Sequence, residues 1–444
     1  MEILLTCFYT LLLSFVVFKS NFFKSTIVSK KYLLSFFWLK IIAGLCLYFI
    51  YTYYYPDRQK ADIFRYFNDA QQIYKALPQH PLDYIQMIFG INIDNQYFYD
   101  NYFIYTNHWD RILQENIVSD SHFLIRFNAI ILLFSFGYFN VHTIFAAFVS
   151  FIGQMGLCHF VENNFKSVHI GHILPIFIIP SVIFWSSNVL KEFLLVFGIG
   201  IFIYAADKLF FYTKTIKQKL WMLLLIIIAC KALIFTKYYI FCLLFILLIP
   251  FFFIKKYHLK NIFICYLITI LFFLFCGWIF VETTDRNIIN TLVYKHNDML
   301  NLAIAEHAQI TEIRYLQADF IDIFTYLPIA LLNVLFRPLP FEGSSLMIRL
   351  AETEQIFLLI CAASILILGF NKQIVQKNLF WFCFIFTLGN AIIVGLATPI
   401  LGAIIRYRSI GLPFVFLSLW LLCDTNTMKH RYHKIQTFFK TKKK

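Results

Sequence analysis

Lys60-Ala61-Asp62-Ile63-Phe64-Arg65-Tyr66-Phe67-Asn68-Asp69-Ala70 follows an apolar run, residues 32–55, that closes on Tyr53-Tyr54-Tyr55-Pro56. A helix needs about 17–25 apolar residues to cross the hydrocarbon core, so the run reads as a membrane span. What comes after it is polar. Read as a helix, the stretch places Asp62, Arg65, Tyr66 and Asp69 at i, i+3, i+4 and i+7, with two carboxylates and a guanidinium on one face. Ile63, Phe67, Ala70, Ile73, Tyr74 and Leu77 take the other face. The pattern predicts an amphipathic helix lying at a membrane surface, its acidic stripe turned to water or to a cleft. A merely solvated charged face carries the same pattern.

Outward from that junction the chain repeats the same theme. Of 444 residues, 60% are hydrophobic, 20% aromatic and only 14% charged. A soluble globular domain carries roughly 25% charged residues, so that class is excluded. Apolar segments at 2–18, 32–55, 122–139, 141–161, 171–188, 192–206, 220–236, 239–254, 261–282, 354–370, 379–397 and 409–423 predict an all-α polytopic transmembrane bundle of about 11–13 spans. No small-x-small cleavage site follows Met1 to Phe18, so that segment reads as a retained span. Internal repeats are absent, which predicts one transmembrane domain, 1–425, and a basic tail, 426–444.

The net charge of +14 points to nucleic acid in a soluble protein, but here its location decides otherwise. The intervals Lys19–Lys31, Asp207–Lys219, Lys255–Lys260, Lys372–Lys377 and Asp424–Lys444 hold 20 of the 38 basic residues and two acids. Asp57–Ser121 has nine acids to five bases, and Thr283–Thr353 eight to five. Short Lys-rich loops stay cytoplasmic and meet anionic headgroups. This predicts an outside N-terminus, a cytoplasmic C-terminus, and two long outer loops, 56–121 and 283–353, carrying interfacial helices. The orientation requires an even number of crossings between 122 and 190, where three apolar segments lie. Gly171–Val189, broken by Pro175 and Pro180, is therefore expected to be a re-entrant hairpin or two short half-helices. Residues 323–336 are expected to be re-entrant or interfacial.

All ten cysteines lie in apolar segments, which gives neither a disulfide framework nor metal spacing. Chemistry is expected in four polar clusters on the outer side: Asp62/Arg65/Asp69, Ser186–Glu192, Arg337–Glu342 and Arg406-Tyr407-Arg408. Arginine forks grip phosphate in bidentate fashion, so Arg337, Arg406 and Arg408 beside Lys191 suit a phosphate or pyrophosphate headgroup. Asp62 or Asp69 then serves as general base toward a sugar hydroxyl or holds a divalent cation. Structural alternatives stand beside each. Arg406 and Arg408 as snorkelling anchors, Lys191–Glu192 as an ion pair at a helix start, and Arg337 paired with Glu342 across a Pro-stiffened turn all fit the same residues.

Asp62-x-x-x-Tyr66-Phe67-x-Asp69-Ala70, directly after a span and in the first large outer loop, resembles the acidic loop of the GT-C superfamily of polytopic glycosyltransferases, most of all the GPI mannosyltransferases. The resemblance covers about fifteen residues. This chain lacks the second acid that the mannosyltransferase pattern carries two residues after Asp62. Arg406-Tyr407-Arg408 followed by Pro413 is similar to late segments of bacterial members, and Trp185-Ser186-Ser187 to Lys191-Glu192 is similar to O-antigen and exopolysaccharide polymerases. The resemblance implies a transferase or polymerase of the bacterial inner membrane, acting at its outer face. It further implies a polyprenyl-phosphate-linked sugar donor, a glycan acceptor, and Asp62 or Asp69 as the catalytic base or as the holder of a divalent cation, Mg or Mn; Arg65, Tyr66, Lys191, Glu192, Arg337, Glu342, Arg406 and Arg408 are the residues expected around the substrate. A transporter or flippase of lipid-linked glycans, or a scaffold subunit, are the readings from other classes; the former predicts polar residues at mid-span.

Overall fold

The computed structural model describes residues 1–55, 61–107, 109, 121–165, 168–283, 288–370 and 376–423. These residues form an all-α polytopic membrane bundle, and none of them lies in a β-strand. Nine helices among the described residues are long and apolar enough to cross a membrane. The expected basic tail, 426–444, lies outside the described residues.

Most expected spans are helices close to their expected limits: Glu2–Lys19, Lys30–Phe49, Phe139–Asn164, Lys191–Phe211, Ile262–Thr283, Leu346–Gly369 and Lys377–Ala397. The runs 220–236 and 239–254 lie in one helical stretch, Ile216–Tyr257, interrupted at Lys237, whose φ of −147° and ψ of 85° are not helical. Two segments differ from expectation, and a third, 171–188, follows it. His122–Ser135 has only 14 residues, because Phe136 and Gly137 both take positive φ and end it early. At 1.5 Å per residue it is about 21 Å long, short of the roughly 30 Å hydrocarbon core. The segment 171–188 is two short helices, Ile170–Ile178 and Pro180–Trp185, divided where Pro180 removes a backbone donor. Arg406 and Arg408 do not precede the last span. Leu401–Arg408, a 3-10 turn and Leu412–Leu421 form one helical column that contains both arginines.

The described chain divides into two compact units, 1–163 with 182–241, and 164–181 with 242–444. In the first, Phe139–Asn164 and Lys191–Phe211 meet backbone to backbone: a Cβ on Gly200 would lie 1.8 Å from the Gly153 carbonyl oxygen. Close approach through small residues is how helices pack where surrounding lipid removes the hydrophobic drive. In the second, Phe320–Phe336, a 17-residue helix with Pro328 inside it, packs along Lys377–Ala397. A Cβ on Gly395 would lie 2.5 Å from the Ala330 carbonyl, so that crossing too is a backbone contact.

Candidate functional site

The first unit gathers six of the predicted site residues. Asp62–Tyr74 is a helix, with Asp62 in its first turn, where a carboxylate complements the positive helix end. It does not rest apolar face down on a membrane. Ile63, Phe64, Tyr66, Phe67, Ala70 and Ile73 are buried in a protein core shared with Leu124, Ile125, Ala129 and Leu132 of the short helix, and with Val189, Leu190, Phe193 and Leu194. Protein covers more than the predicted apolar face, because Phe64 and Tyr66 extend the buried surface beyond a single stripe, while Asn68 stays exposed.

This packing splits the acidic stripe. Asp69 is 1% exposed, and its Oδ1 accepts the backbone N–H of Asn107 at 2.8 Å. Tyr66 is buried beside it, whereas Asp62 and Arg65 keep part of their surface open. Two turns separate Asp62 from Asp69, about 10 Å along the axis. Asp69 is committed to Asn107, and the described residues gather no set of three His, Cys, Asp or Glu side chains. No step below runs through a divalent cation.

The 186–192 segment packs against the same core through Val189 and Leu190, which brings Lys191 and Glu192 into the unit that holds Asp62. Its shape comes from side-chain bonds that replace helical ones. Ser186 and Ser187 donate back to the Val182 and Ile183 carbonyls, and Asn188 accepts from the Val189 N–H. Asn188 Nδ2 also donates to the Gly44 carbonyl at 2.9 Å. Lys191–Phe211 then begins, with Lys191 half-buried and Glu192 fully buried in the first turn.

Two further polar groups stand out in this unit. Lys40, midway along Lys30–Phe49 and buried, donates to Ser186 Oγ at 2.7 Å. His142 lies between Asn128 Oδ1 and Ser135 Oγ, each at 2.8 Å, with its ring 4.9 Å from that of Phe67. Sequence reasoning passed over Lys40. A lysine inside a 20-residue apolar helix is itself a signal, since burying its charge is costly.

The second unit holds the remaining four. Arg337 pairs with Glu342 at 3.2 Å and donates to the Thr311 carbonyl at 2.8 Å, so the ion pair across the turn is present. The turn is fixed from outside as well, since Glu352 accepts the Phe341 and Gly343 N–H groups and Gln309 donates to the Glu342 carbonyl at 2.8 Å. Arg408 is buried rather than snorkelling. Its Nη1 donates to the carbonyls of Val334, at 3.1 Å, and of Arg337, satisfying the C-terminal end of Phe320–Phe336. Arg406, on the same short helix, is half-buried.

The structure thus brings Asp62, Arg65, Tyr66, Asp69, Lys191 and Glu192 together in one unit, and Arg337, Glu342, Arg406 and Arg408 in the other. No protein-family model, characterised protein or solved structure matches the chain.

Proposed function

We propose that this multi-pass membrane protein transfers or polymerises sugars from a polyprenyl-(pyro)phosphate-linked donor at the outer face of a bacterial inner membrane. The observation that carries the reading is the split helix: Asp62 and Arg65 stay partly open on a helix otherwise locked into the core. A general base must be reachable by the hydroxyl it deprotonates and is best carried on a rigid element; Asp62 is partly open, and its helix is packed into the core. Asp69 and Tyr66 hold the helix. In the second unit, Glu342 and Arg408 set the turn that carries Arg337, and Arg337 and the half-buried Arg406 of Leu401–Arg408 are its charges for a phosphate group.

The test is transfer in vitro. The full chain in vesicles, supplied with a polyprenyl-linked glycan, is expected to release the polyprenyl phosphate or pyrophosphate and lengthen the glycan. Loss of that product in Asp62→Asn, with insertion unchanged, supports the reading. Equal product in parent and variant overturns Asp62 as the base.

Lys40 favours one second reading, a transporter or flippase of lipid-linked glycans, because a polar contact at mid-span is what such a protein needs. Movement of a labelled lipid-linked glycan across the vesicle wall without elongation establishes that reading in place of the first.

A further inference from the structure

Pro81–Phe89 is a nine-residue helix with two unlike faces. Tyr84 and Met87 are buried, while Leu82, Ile85 and Phe89, at i, i+3 and i+7, are 73%, 47% and 72% exposed. We propose that this helix is sunk into the boundary between headgroups and acyl chains of the membrane through Leu82, Ile85 and Phe89, with lipid as their partner.

Depth is the first argument. Tyr84 donates its hydroxyl to the Ala129 carbonyl at 2.9 Å, inside the short apolar helix His122–Ser135. The end of that helix is fixed in turn by Tyr9, whose hydroxyl donates to the Phe134 carbonyl at 3.0 Å. Tyr9 lies close to the middle of the candidate span Glu2–Lys19. Ala129 is five residues from Phe134, about 7–8 Å along the axis. For helices near the membrane normal, that is well within the roughly 15 Å half-thickness of the hydrocarbon core. The Tyr84 anchor therefore lies between the midplane and the headgroups.

Polarity is the second. A helix enters such a layer only if its polar groups are satisfied within the protein. Asp83 is the one charged residue of the helix, and its Oδ2 accepts the hydroxyls of Tyr97, at 2.7 Å, and Tyr102, at 2.8 Å. At the C-terminal end the Gln86 carbonyl takes the Gly90 and Ile91 N–H groups, and the Met87 carbonyl takes Arg126 Nε at 2.9 Å. Extent is the third argument, because Ile91, Ile104 and Tyr105 are exposed nearby, and Ile130, Leu133, Phe134 and Phe136 along the short helix. Interfacial helices bury such a face about 5–10 Å into the boundary. The Tyr74 and Tyr84 rings are 6.2 Å apart, so this anchor also sets the height of the Asp62–Tyr74 helix.

The experiment places a benzophenone amino acid at Leu82, Ile85 or Phe89 of the full chain, in vesicles of phosphatidylethanolamine and phosphatidylglycerol. Leu271, exposed on the apolar span Ile262–Thr283, is the positive control, and Asn95 the aqueous one. After irradiation, phospholipid adducts at all three positions, in yields like that at Leu271 and well above that at Asn95, are expected. Cross-linked dimers in place of lipid adducts overturn the proposal in favour of a second copy on this face. Yields no higher than at Asn95, with the Leu271 adduct present, overturn it in favour of water.

Discussion

Asp69 Oδ1 accepts the backbone N–H of Asn107 at 2.8 Å, tying the helix that follows the second span to a segment 38 residues further on. A carboxylate so placed fixes a loop. Asp62, seven residues earlier, keeps part of its surface open, and the two acids therefore have different consequences when changed.

Asp62→Asn is expected to lose about 10²- to 10⁴-fold in transfer rate, the range of a general base, with thermal stability unchanged. Asp69→Asn keeps an acceptor oxygen for Asn107 and most of the rate. Asp69→Ala removes the acceptor of a partly buried hydrogen bond and costs about 0.5–1.5 kcal/mol of stability. Product formation and melting temperature, measured on the same three preparations, separate the roles. A rate collapse in Asp69→Asn together with a normal rate in Asp62→Asn reverses the assignment.

The arginines divide in the same manner. Arg408 donates to two carbonyls at a helix end, so Arg408→Ala orphans buried acceptors and is expected to lower the melting temperature without a selective effect on donor affinity. Arg406 is half-buried and lies on the same short helix. Arg406→Lys exchanges a planar fork for a point charge and is expected to raise the KM for the lipid-linked donor, with insertion unchanged. A parental KM in Arg406→Lys removes Arg406 from donor binding.

How much of this was legible beforehand follows from how far apart the partners lie. Spans are written locally, and even the break at Lys237 shows as a charged residue between two apolar runs. The Asp62–Tyr74 helix was legible from its period, but its surroundings were not. Periodicity assigns residues to faces and is silent on what covers a face; here the covers are Asn107 and residues near 125 and 190. Arg406-Tyr407-Arg408 reads as a polar interruption of an apolar run. The helix nevertheless continues through it, because the carbonyls of Val334 and Arg337, more than 70 residues away, accept from Nη1 of the buried Arg408 guanidinium.

His296 gives a pH dependence. It is fully buried on Ile288–Ala305, with Nδ1 at 3.1 Å from the Leu396 carbonyl and Nε2 at 3.2 Å from that of Arg314. Burial lowers its pKa below the ordinary value, outweighing the two carbonyls and Glu312, which raise it. The unfolded chain therefore takes up the proton first. This contribution to stability is complete above the unfolded pKa of about 6.5 and is lost as pH falls below it. Melting temperature in detergent is expected to decline from about pH 6.5 toward 5, and His296→Gln to flatten part of that decline. An identical slope in the variant excludes His296 as a source.

Lys40 decides between transfer and transport. Its amine makes one hydrogen bond, to Ser186 Oγ at 2.7 Å, while Asn188 independently ties the same segment to Gly44. Lys40→Met keeps a long unbranched stem and removes the cost of a buried amine, so stability is expected to hold or rise. A single hydrogen bond contributes about 0.5–1.5 kcal/mol, which bounds the loss of transfer rate at about tenfold if Lys40 only positions the segment before Lys191. A translocation pathway that uses the mid-span cation loses its activity outright. Transfer and movement of a labelled lipid-linked glycan, followed side by side in parent and Lys40→Met vesicles, read both outcomes. A modest fall in transfer, with no translocation in either preparation, supports the transferase, whereas translocation present in the parent and abolished in the variant replaces it with a transporter.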